Sequence, residues 1–315
     1  MLVVTGAGGF VGRAVVRELE RRGVNNVRLV DCCLNSHESY QTLSADLTDD
    51  DVLDAILDGA TQVLHLAAIP GAAAEAEPAL SRRVNLDLPL SILGKSAGIR
   101  FIYASSIAVF GDFPAGVVHD DTPARPHTVY GTHKAMVELA FADAVRRRAV
   151  RGLALRLPGV VARPSGSVGF ASAFLSEMFH ASARREPYVL PVSARATSWL
   201  LSARSCARML VQATLDSGTN ALPINLPALR VELAELASKL SGSRAGSLFT
   251  FEPDPMIERT FGAHPPLSTP RADTLGFRGE GDIDELIANV AADAGAEPLA
   301  LPVGAGRPMR MGNPS

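Results

Sequence analysis

Short apolar runs rich in β-branched residues alternate with longer stretches whose apolar positions recur every three to four residues through the first half of the chain. The runs at 2–5, 26–31, 62–66, 100–103 and 153–157 predict strands. The helical periodicity predicts helices over 12–22, 49–57, 80–96 and about 130–148. Strands and helices in that order predict βαβ units. Right-handed crossovers then place helices on both faces of a parallel sheet. Beyond Pro158 the pattern changes: Pro164-Ser165-Gly166-Ser167 reads as a loop, and later elements are shorter and interrupted by Pro and Gly. This predicts a first domain of 1–163 plus about 199–226, with 221–226 returning to the main sheet as a strand. A smaller α/β domain of about 164–198 and 227–296 follows, then a flexible Pro- and Gly-rich tail at 297–315. No internal repeat is visible.

Bulk properties narrow the partners. A chain of 315 residues with 47% hydrophobic and 20% charged positions can bury a sizeable core. Its formal charge of −3 supplies no attraction to nucleic acid or an anionic membrane. The three cysteines, Cys32, Cys33 and Cys206, are too few for a disulfide framework and show no metal-ligand spacing. A reduced, cytoplasmic protein without a metal is expected. Met1-Leu2-Val3-Val4 enters a strand directly, without a basic leader, and the weakly charged stretch at 58–75 is broken by Gln62, His65, Pro70 and Gly71, so no membrane segment is expected.

Chemistry enters at the end of the first strand, where Thr5-Gly6-Ala7-Gly8-Gly9-Phe10-Val11-Gly12 leads into a helix. Glycines at 6, 9 and 12 permit a tight turn, bring backbone N–H groups up to a pyrophosphate, and let helix pack closely on strand. Asp31 follows 19 residues after Gly12 at the end of the second strand, where a carboxylate accepts hydrogen bonds from the adenosine ribose. It would repel a 2′-phosphate, and Cys32-Cys33-Leu34-Asn35 brings no Arg, so NAD is predicted over NADP. The fold class is therefore a Rossmann-type doubly wound sheet. Ser105-Ser106-Ile107-Ala108-Val109-Phe110-Gly111 runs out of the strand at 100–103, and 24 residues after Ser106 comes Tyr130-Gly131-Thr132-His133-Lys134. Tyr130 and Lys134 lie one helical turn apart on a common face. Moving a hydride at a carbon–oxygen bond needs a proton carrier at the same oxygen. Tyr130 serves if its pKa is pulled down by the Lys134 charge, with Ser106 donating to the substrate oxygen.

This ordered set resembles the extended short-chain dehydrogenase/reductase family, which includes nucleotide-sugar epimerases and dehydratases. The likeness rests on Gly6/Gly9/Gly12, Asp31, Ala45-Asp46-Leu47, Leu64-His65-Leu66-Ala67-Ala68, Asn85, Ser105-Ser106 and Tyr130/Lys134. It implies that Phe10 and Val11 join the glycine loop at the cofactor, and that Asp46 and Leu47 lie against the adenine. It also implies Ala67 and Ala68 beside the pyrophosphate, with Asn85, Pro158, Val160, Tyr130 and Lys134 completing the cofactor site. His65 is read as a packed core histidine. A narrower likeness is to the D-erythronate dehydrogenase-like branch, carried by the segments 128–134, 155–161, 199–204, 224–227, 251–255 and 272–277. It implies a small-molecule substrate touching Ser106, Thr128, Ser165, Trp199 and Arg204. Two departures stand out: Ser165-Gly166-Ser167-Val168 replaces an Asn-containing segment, and Thr197 stands where that pattern has an Arg. A sugar acid needs a cationic or polar anchor for its carboxylate, for which Arg204 and Arg195 are candidates.

The resulting expectation is an NAD-dependent oxidoreductase that interconverts a secondary alcohol and a ketone on a small polyhydroxy acid or related carbonyl compound. The alternative is an epimerase cycling tightly held NAD on a nucleotide sugar, though no set of arginines for a diphosphate is evident. Dehydratases carry an acidic pair where this chain has Ile107-Ala108. A cofactor-binding scaffold is a third reading, disfavoured by the complete Ser/Tyr/Lys set. The apolar positions Met136, Leu139, Ala140 and Val145 of the 130–148 helix suggest a homodimer, although the same stripe could pack on its own sheet.

Overall fold

The computed structural model describes residues 1–113, 116–165, 172–216, 221–242 and 247–294. Its centre is a seven-stranded parallel sheet of β1 (Leu2–Thr5), β2 (Val27–Asp31), β3 (Gln41–Ser44), β4 (Gln62–His65), β5 (Arg100–Ser106), β6 (Arg151–Leu157) and β10 (Ala221–Asn225). The spatial order is β3-β2-β1-β4-β5-β6-β10. Two further strand sets lie apart from it: antiparallel and parallel pairing joins β7 (Gly159–Val161), β9 (Thr197–Ser202) and β11 (Leu229–Glu232), and β8 (Tyr188–Leu190) pairs with β12 (Phe249–Phe251). The helices are α1 (Phe10–Arg21), α2 (Asp50–Leu57), α3 (Gly71–Ala76), α4 (Pro78–Ser81), α5 (Leu88–Lys95), α6 (Val129–Arg146), α7 (Ala173–Arg184), α8 (Ala203–Leu215), α9 (Leu233–Ser241), α10 (Pro255–Phe261), α11 (Pro270–Thr274) and α12 (Ile283–Ala294).

Burial explains the two-sided sheet. Leu2, Val4, Leu29, Leu64, Ile102 and Leu155 face a core shared with Val15 and Leu19 of α1 and Met209 and Leu210 of α8. Val3, Val30, Val63, Phe101 and Ala154 face the opposite core with Leu53, Ile92, Val137 and Phe141. A strand buried on both faces loses the alternation of an amphipathic strand and reads as a continuous apolar run, which is why these strands were predictable. A third core under the smaller sheets gathers Phe174, Met178, Leu200, Leu233 and Leu286.

The strand at 221–225 does return to the main sheet, pairing with β6. The edge strand β3, of sequence Gln-Thr-Leu-Ser, has no apolar run and escaped prediction, as did the short strands beyond Pro158. The helical stretch at 80–96 is interrupted: α4 passes through a π-helical turn at Arg82–Asp87 into α5. The strand order reverses between β1 and β4, and such a switch point leaves a crevice at the strands' carboxyl ends, the position where this topology takes ligands. Gly166, Ser167 and Val168, and the tail expected at 297–315, lie outside the described residues.

Candidate active site

The glycine loop closes over the crevice by contacts that only glycine allows. Gly6 has φ +72°, and a Cβ on it would stand 2.5 Å from the Ala67 nitrogen. A Cβ on Gly12 would stand 2.1 Å from the Gly6 carbonyl oxygen. Gly9 is the N-cap of α1, and Phe10 and Val11 are its first, half-buried residues. The cradle therefore consists of main chain at the positive end of a helix, the donor set a pyrophosphate requires. Asp31 turns into it: its Oδ2 accepts the Gly8 N–H at 3.0 Å, beside the exposed Cys32 and Cys33. Arg13, unsuspected from sequence, reaches the same corner. It donates to the Gly8 carbonyl at 2.7 Å, and the Asp31 charge acts on it. These residues fit a dinucleotide.

Ala67 and Ala68 follow β4 directly opposite this loop. Asn85 sits behind them and is buried, accepting from the Ile69 N–H at 2.9 Å and donating to the Ile69 carbonyl and the Ser81 hydroxyl, both at 3.0 Å. It clasps the 67–70 loop, and its polar atoms are spent on that task. Leu47 is a core residue, and the Asp46 carboxylate holds the following turn through the Thr48 N–H and hydroxyl at 2.9 and 2.8 Å.

Ser106 ends β5 and Tyr130 lies in the first turn of α6, close enough for the Ser106 hydroxyl to pull the Tyr130 phenol down. The Ser106 oxygen accepts the Ala108 N–H at 3.1 Å, which leaves its hydroxyl hydrogen to be donated into the site. The approach depends on Gly131, where a Cβ would lie 2.3 Å from the Ala108 carbonyl oxygen. Thr128 caps this helix through the Gly131 N–H at 3.0 Å, and Glu75 of α3 accepts the Val129 N–H at 2.6 Å. Lys134 lies one turn on, 2% exposed, its ammonium donating to the Ala104 carbonyl at 2.8 Å and standing 4.7 Å from the Tyr103 ring centre and 5.5 Å from that of Tyr130.

Electrostatics here differ from the sequence expectation. Burial pushes the Tyr130 phenol up to about 12, while the hydrogen bond from Ser106 and the nearby Arg163 charge pull the other way. Burial also brings Lys134 down to about 7, against the opposing pull of Glu138. Besides Lys134, 5.5 Å from its ring centre, the Arg163 charge acts on Tyr130, and Arg163 is a residue that sequence reasoning passed over. Its backbone is held by α7: the Arg163 N–H donates to the Ser176 hydroxyl at 3.1 Å, and its carbonyl accepts from His180 Nε2 at 2.5 Å.

A buried polar cross-link fixes the catalytic helix to the sheet. Arg156 of β6 donates to the Glu138 carboxylate of α6 at 2.8, 3.0 and 3.2 Å, and to the Asp120 carbonyl at 3.0 Å. Ser105 donates to Glu138 at 2.6 Å, and Asp120 in turn accepts the Asn225 N–H at 2.7 Å. His65 is packed as expected, its Nδ1 paired with Thr5 Oγ1 at 2.7 Å and its ring stacked on Tyr103.

Four residues expected at the substrate have partners of their own in the structure. Trp199 is fully buried, with its indole N–H given to the Pro265 carbonyl at 2.7 Å and its faces covered by Phe113 and His264, so it packs the wall and presents no surface to a ligand. Arg204 is exposed at the start of α8, where its N–H donates to Asp293 of α12 at 3.1 Å. Thr128 spends its oxygen as a helix cap. Ser165 is exposed and donates to Glu177 at 2.9 Å. Pro158 is buried between β6 and β7, the point where the chain leaves one sheet for the other, and Val160 is buried next to it.

Comparison with known proteins agrees with this geometry. The chain is 32% identical to the D-erythronate dehydrogenase of Cupriavidus necator, across 93% of this chain and 98% of that protein. It is 29% identical to the D-erythronate dehydrogenase of Haemophilus influenzae, across 91% and 97%. The crystal structure of the nucleoside-diphosphate-sugar epimerase from Agrobacterium tumefaciens superimposes with a TM-score of 0.81 at 27% identity, covering 93% of this chain and 94% of that one. The model of the NAD dependent epimerase/dehydratase family matches residues 2–218. With the glycine cradle, the Asp31 corner and the Ser106–Tyr130 pair on one crevice, the chain belongs to the NAD dependent epimerase/dehydratase family.

Proposed function

We propose that this protein is an NAD-dependent oxidoreductase that interconverts a secondary alcohol and a ketone on a small polyhydroxy acid. The reading rests on one juxtaposition: Ser106 at the end of β5 beside Tyr130 in the first turn of α6, with Lys134 a turn away, at the carboxyl edge of the sheet that carries the glycine cradle. The naming of two full-length relatives as D-erythronate dehydrogenases supports the substrate class.

Gly6, Gly9 and Gly12 with the start of α1 would hold the pyrophosphate, Asp31 the adenosine ribose, and Ala67, Ala68, Pro158 and Val160 the walls of the cofactor site. Bound NAD⁺ supplies the acceptor for the hydride that leaves the carbinol carbon. The chain's own task is the proton. Ser106 donates to the substrate oxygen and holds it next to Tyr130, and Tyr130 takes the hydroxyl proton as the carbonyl forms, or returns it in reduction. With its phenol pushed up to about 12, Tyr130 is an acid ready for reduction; oxidation draws on the Arg163 and Lys134 charges to favour the phenolate. Trp199 packs in one apolar cluster with Val109 and Phe110, which follow Ser106, and with Ala135 of the catalytic helix.

No helix among the described residues is long and apolar enough to cross a membrane. We place the enzyme in the cytoplasm, in keeping with its free cysteines, and read it as a homodimer, supported by Met136 and Leu139, which project from α6 at 46% and 74% exposure.

The test is turnover of purified protein with NAD⁺ or NADH and panels of hydroxy acids, ketones and UDP-sugars. Stoichiometric change in NADH absorbance is expected with a hydroxy acid and its ketone. Sugar conversion without net NADH would replace this reading with epimerisation. Tyr130→Phe should lower kcat about 10²–10⁴-fold while cofactor binding persists.

A further inference from the structure

We propose that Tyr103 is a positioning residue for the proton step: the face of its ring is the seat that keeps the Lys134 ammonium charged and in place one turn from Tyr130. The inference rests on the oxidoreductase reading above and names what fixes the cation that the reading uses. An ammonium that is 2% exposed has given up its water, and it stays charged only where other groups replace that hydration. Here the Ala104 carbonyl accepts from Nζ at 2.8 Å, and the Tyr103 ring centre lies 4.7 Å away, within reach of a cation–π contact. The neighbouring carboxylate is engaged elsewhere: Glu138 accepts from Arg156 of β6 at 2.8, 3.0 and 3.2 Å and from Ser105 at 2.6 Å. The titratable groups around the ammonium are Tyr130 and the paired Glu138 on its own helix, Tyr103 on β5 and His65 on β4.

The ring is held still by the sheet. Tyr103 stands opposite His65 in the β4–β5 register, and the two rings lie 6.1 Å apart at 13°. His65 Nδ1 is paired with Thr5 Oγ1 of β1 at 2.7 Å, so three neighbouring strands fix the plane that Lys134 overlies. Burial, with the Lys134 charge, holds His65 down at about 3, so this backing is neutral and adds no second cation. The Tyr103 hydroxyl is buried without a hydrogen-bond partner among the described residues, which leaves the ring face as what Tyr103 offers to Lys134. Burial brings Lys134 down to about 7, so a tenfold contribution decides whether it is charged at neutral pH and whether the Tyr130 phenolate has its cation.

The chain has three lysines, Lys95, Lys134 and Lys239, so ¹³C-labelled lysine gives three Cε resonances that titrate separately, assigned through Lys95→Arg and Lys239→Arg. Wild type, Tyr103→Phe and Tyr103→Leu are compared with forms of Tyr103→Phe carrying one, two and three ring fluorines, which weaken the π face stepwise at nearly constant shape. The Lys134 midpoint should hold in Tyr103→Phe, fall stepwise with fluorine, and fall by roughly one pH unit, a tenfold change, in Tyr103→Leu. Oxidation of D-erythronate with NAD⁺ gives the second readout. Rates of wild type and Tyr103→Leu should agree within about twofold at pH 6, where Lys134 is largely charged in both, and separate toward about tenfold by pH 8. A merely structural defect lowers the rate equally at every pH. An unmoved midpoint in Tyr103→Leu, or no trend across the fluorinated set, overturns the seat, and the fluorinated set decides alone if Tyr103→Leu does not fold. If wild type leaves NADH unchanged with D-erythronate and every other hydroxy acid tried, the oxidoreductase reading falls, while the lysine titration still decides whether Tyr103 holds the charge.

Discussion

Replacing Arg156 by Met tests whether the buried cross-link between β6 and α6 holds the catalytic helix in place. Arg156 and Glu138 are 5% and 4% exposed, and the guanidinium makes three N–H contacts to the carboxylate and a fourth to the Asp120 carbonyl. Methionine fills much of the volume against Phe110, over whose ring the guanidinium now lies at 4.8 Å, so packing is largely kept. What is lost is the counter-charge of a buried carboxylate, and breaking such a pair from one side costs about 3–5 kcal/mol. Against a total stability of roughly 5–15 kcal/mol, that is a large share. At about 2–3 °C per kcal/mol for a chain of this size, the midpoint should fall by roughly 6–15 °C. Glu138→Met in the same chain removes the stranded charge, and the double variant should recover most of the loss. The assay is thermal and urea unfolding followed by the fluorescence of the single tryptophan, Trp199, with kcat measured in parallel. A single-variant cost below about 1 kcal/mol, or a double variant no better than Arg156→Met, would show that the pair carries neither stability nor helix position.

Three further outcomes follow from the site. Gly12→Ala places a Cβ against the Gly6–Ala7 backbone, which cannot give way, so cofactor binding should be lost together with about 1–3 kcal/mol of stability, read by NADH titration and unfolding. Asp31→Ser leaves Arg13 standing at the ribose corner without its carboxylate; the NADP⁺/NAD⁺ preference should rise by about 10-fold or more and fall back in the Asp31→Ser/Arg13→Ala double variant. Burial holds His65 down at about 3 and His264 at about 4, so both stay neutral in the folded chain while the unfolded chain protonates them near pH 6.5. The unfolded state then binds more protons. Stability falls as pH drops below 6.5, with a slope of up to about 1.4 kcal/mol per unit for each histidine, and His65→Gln should flatten the profile.

What could be read from the chain alone is what short-range spacing encodes. The glycines at 6, 9 and 12, Asp31 at the end of the next strand, and Tyr130 with Lys134 one turn apart each lie within a single βα unit or helix. The buried parallel strands betray themselves as apolar runs for the same local reason. The rest depends on partners far along the chain. Trp199 looks like a substrate residue until Pro265 is found taking its N–H and His264 covering its face. Arg204 looks like an anchor until Asp293 of α12 arrives beside it. Arg163, Arg13 and the Glu138–Arg156 pair carry no signal in their own neighbourhoods, because a charged residue in a loop or strand says nothing of the phenol, carboxylate or ribose corner that folding brings to it. Edge strand β3 was invisible for the opposite reason: it buries too little to need an apolar pattern.

Between β6, in the cofactor sheet, and β7, in the sheet that leads to Arg163, the chain spends a single residue, the buried Pro158. A one-residue joint with a ring-locked φ cannot lengthen. The cofactor sheet and the smaller sheet are therefore pinned to each other at one point, as the two arms of a caliper are at its pivot. A substrate of different size has to be met by side chains further out on the smaller sheet, without disturbing the joint beside the cofactor strands.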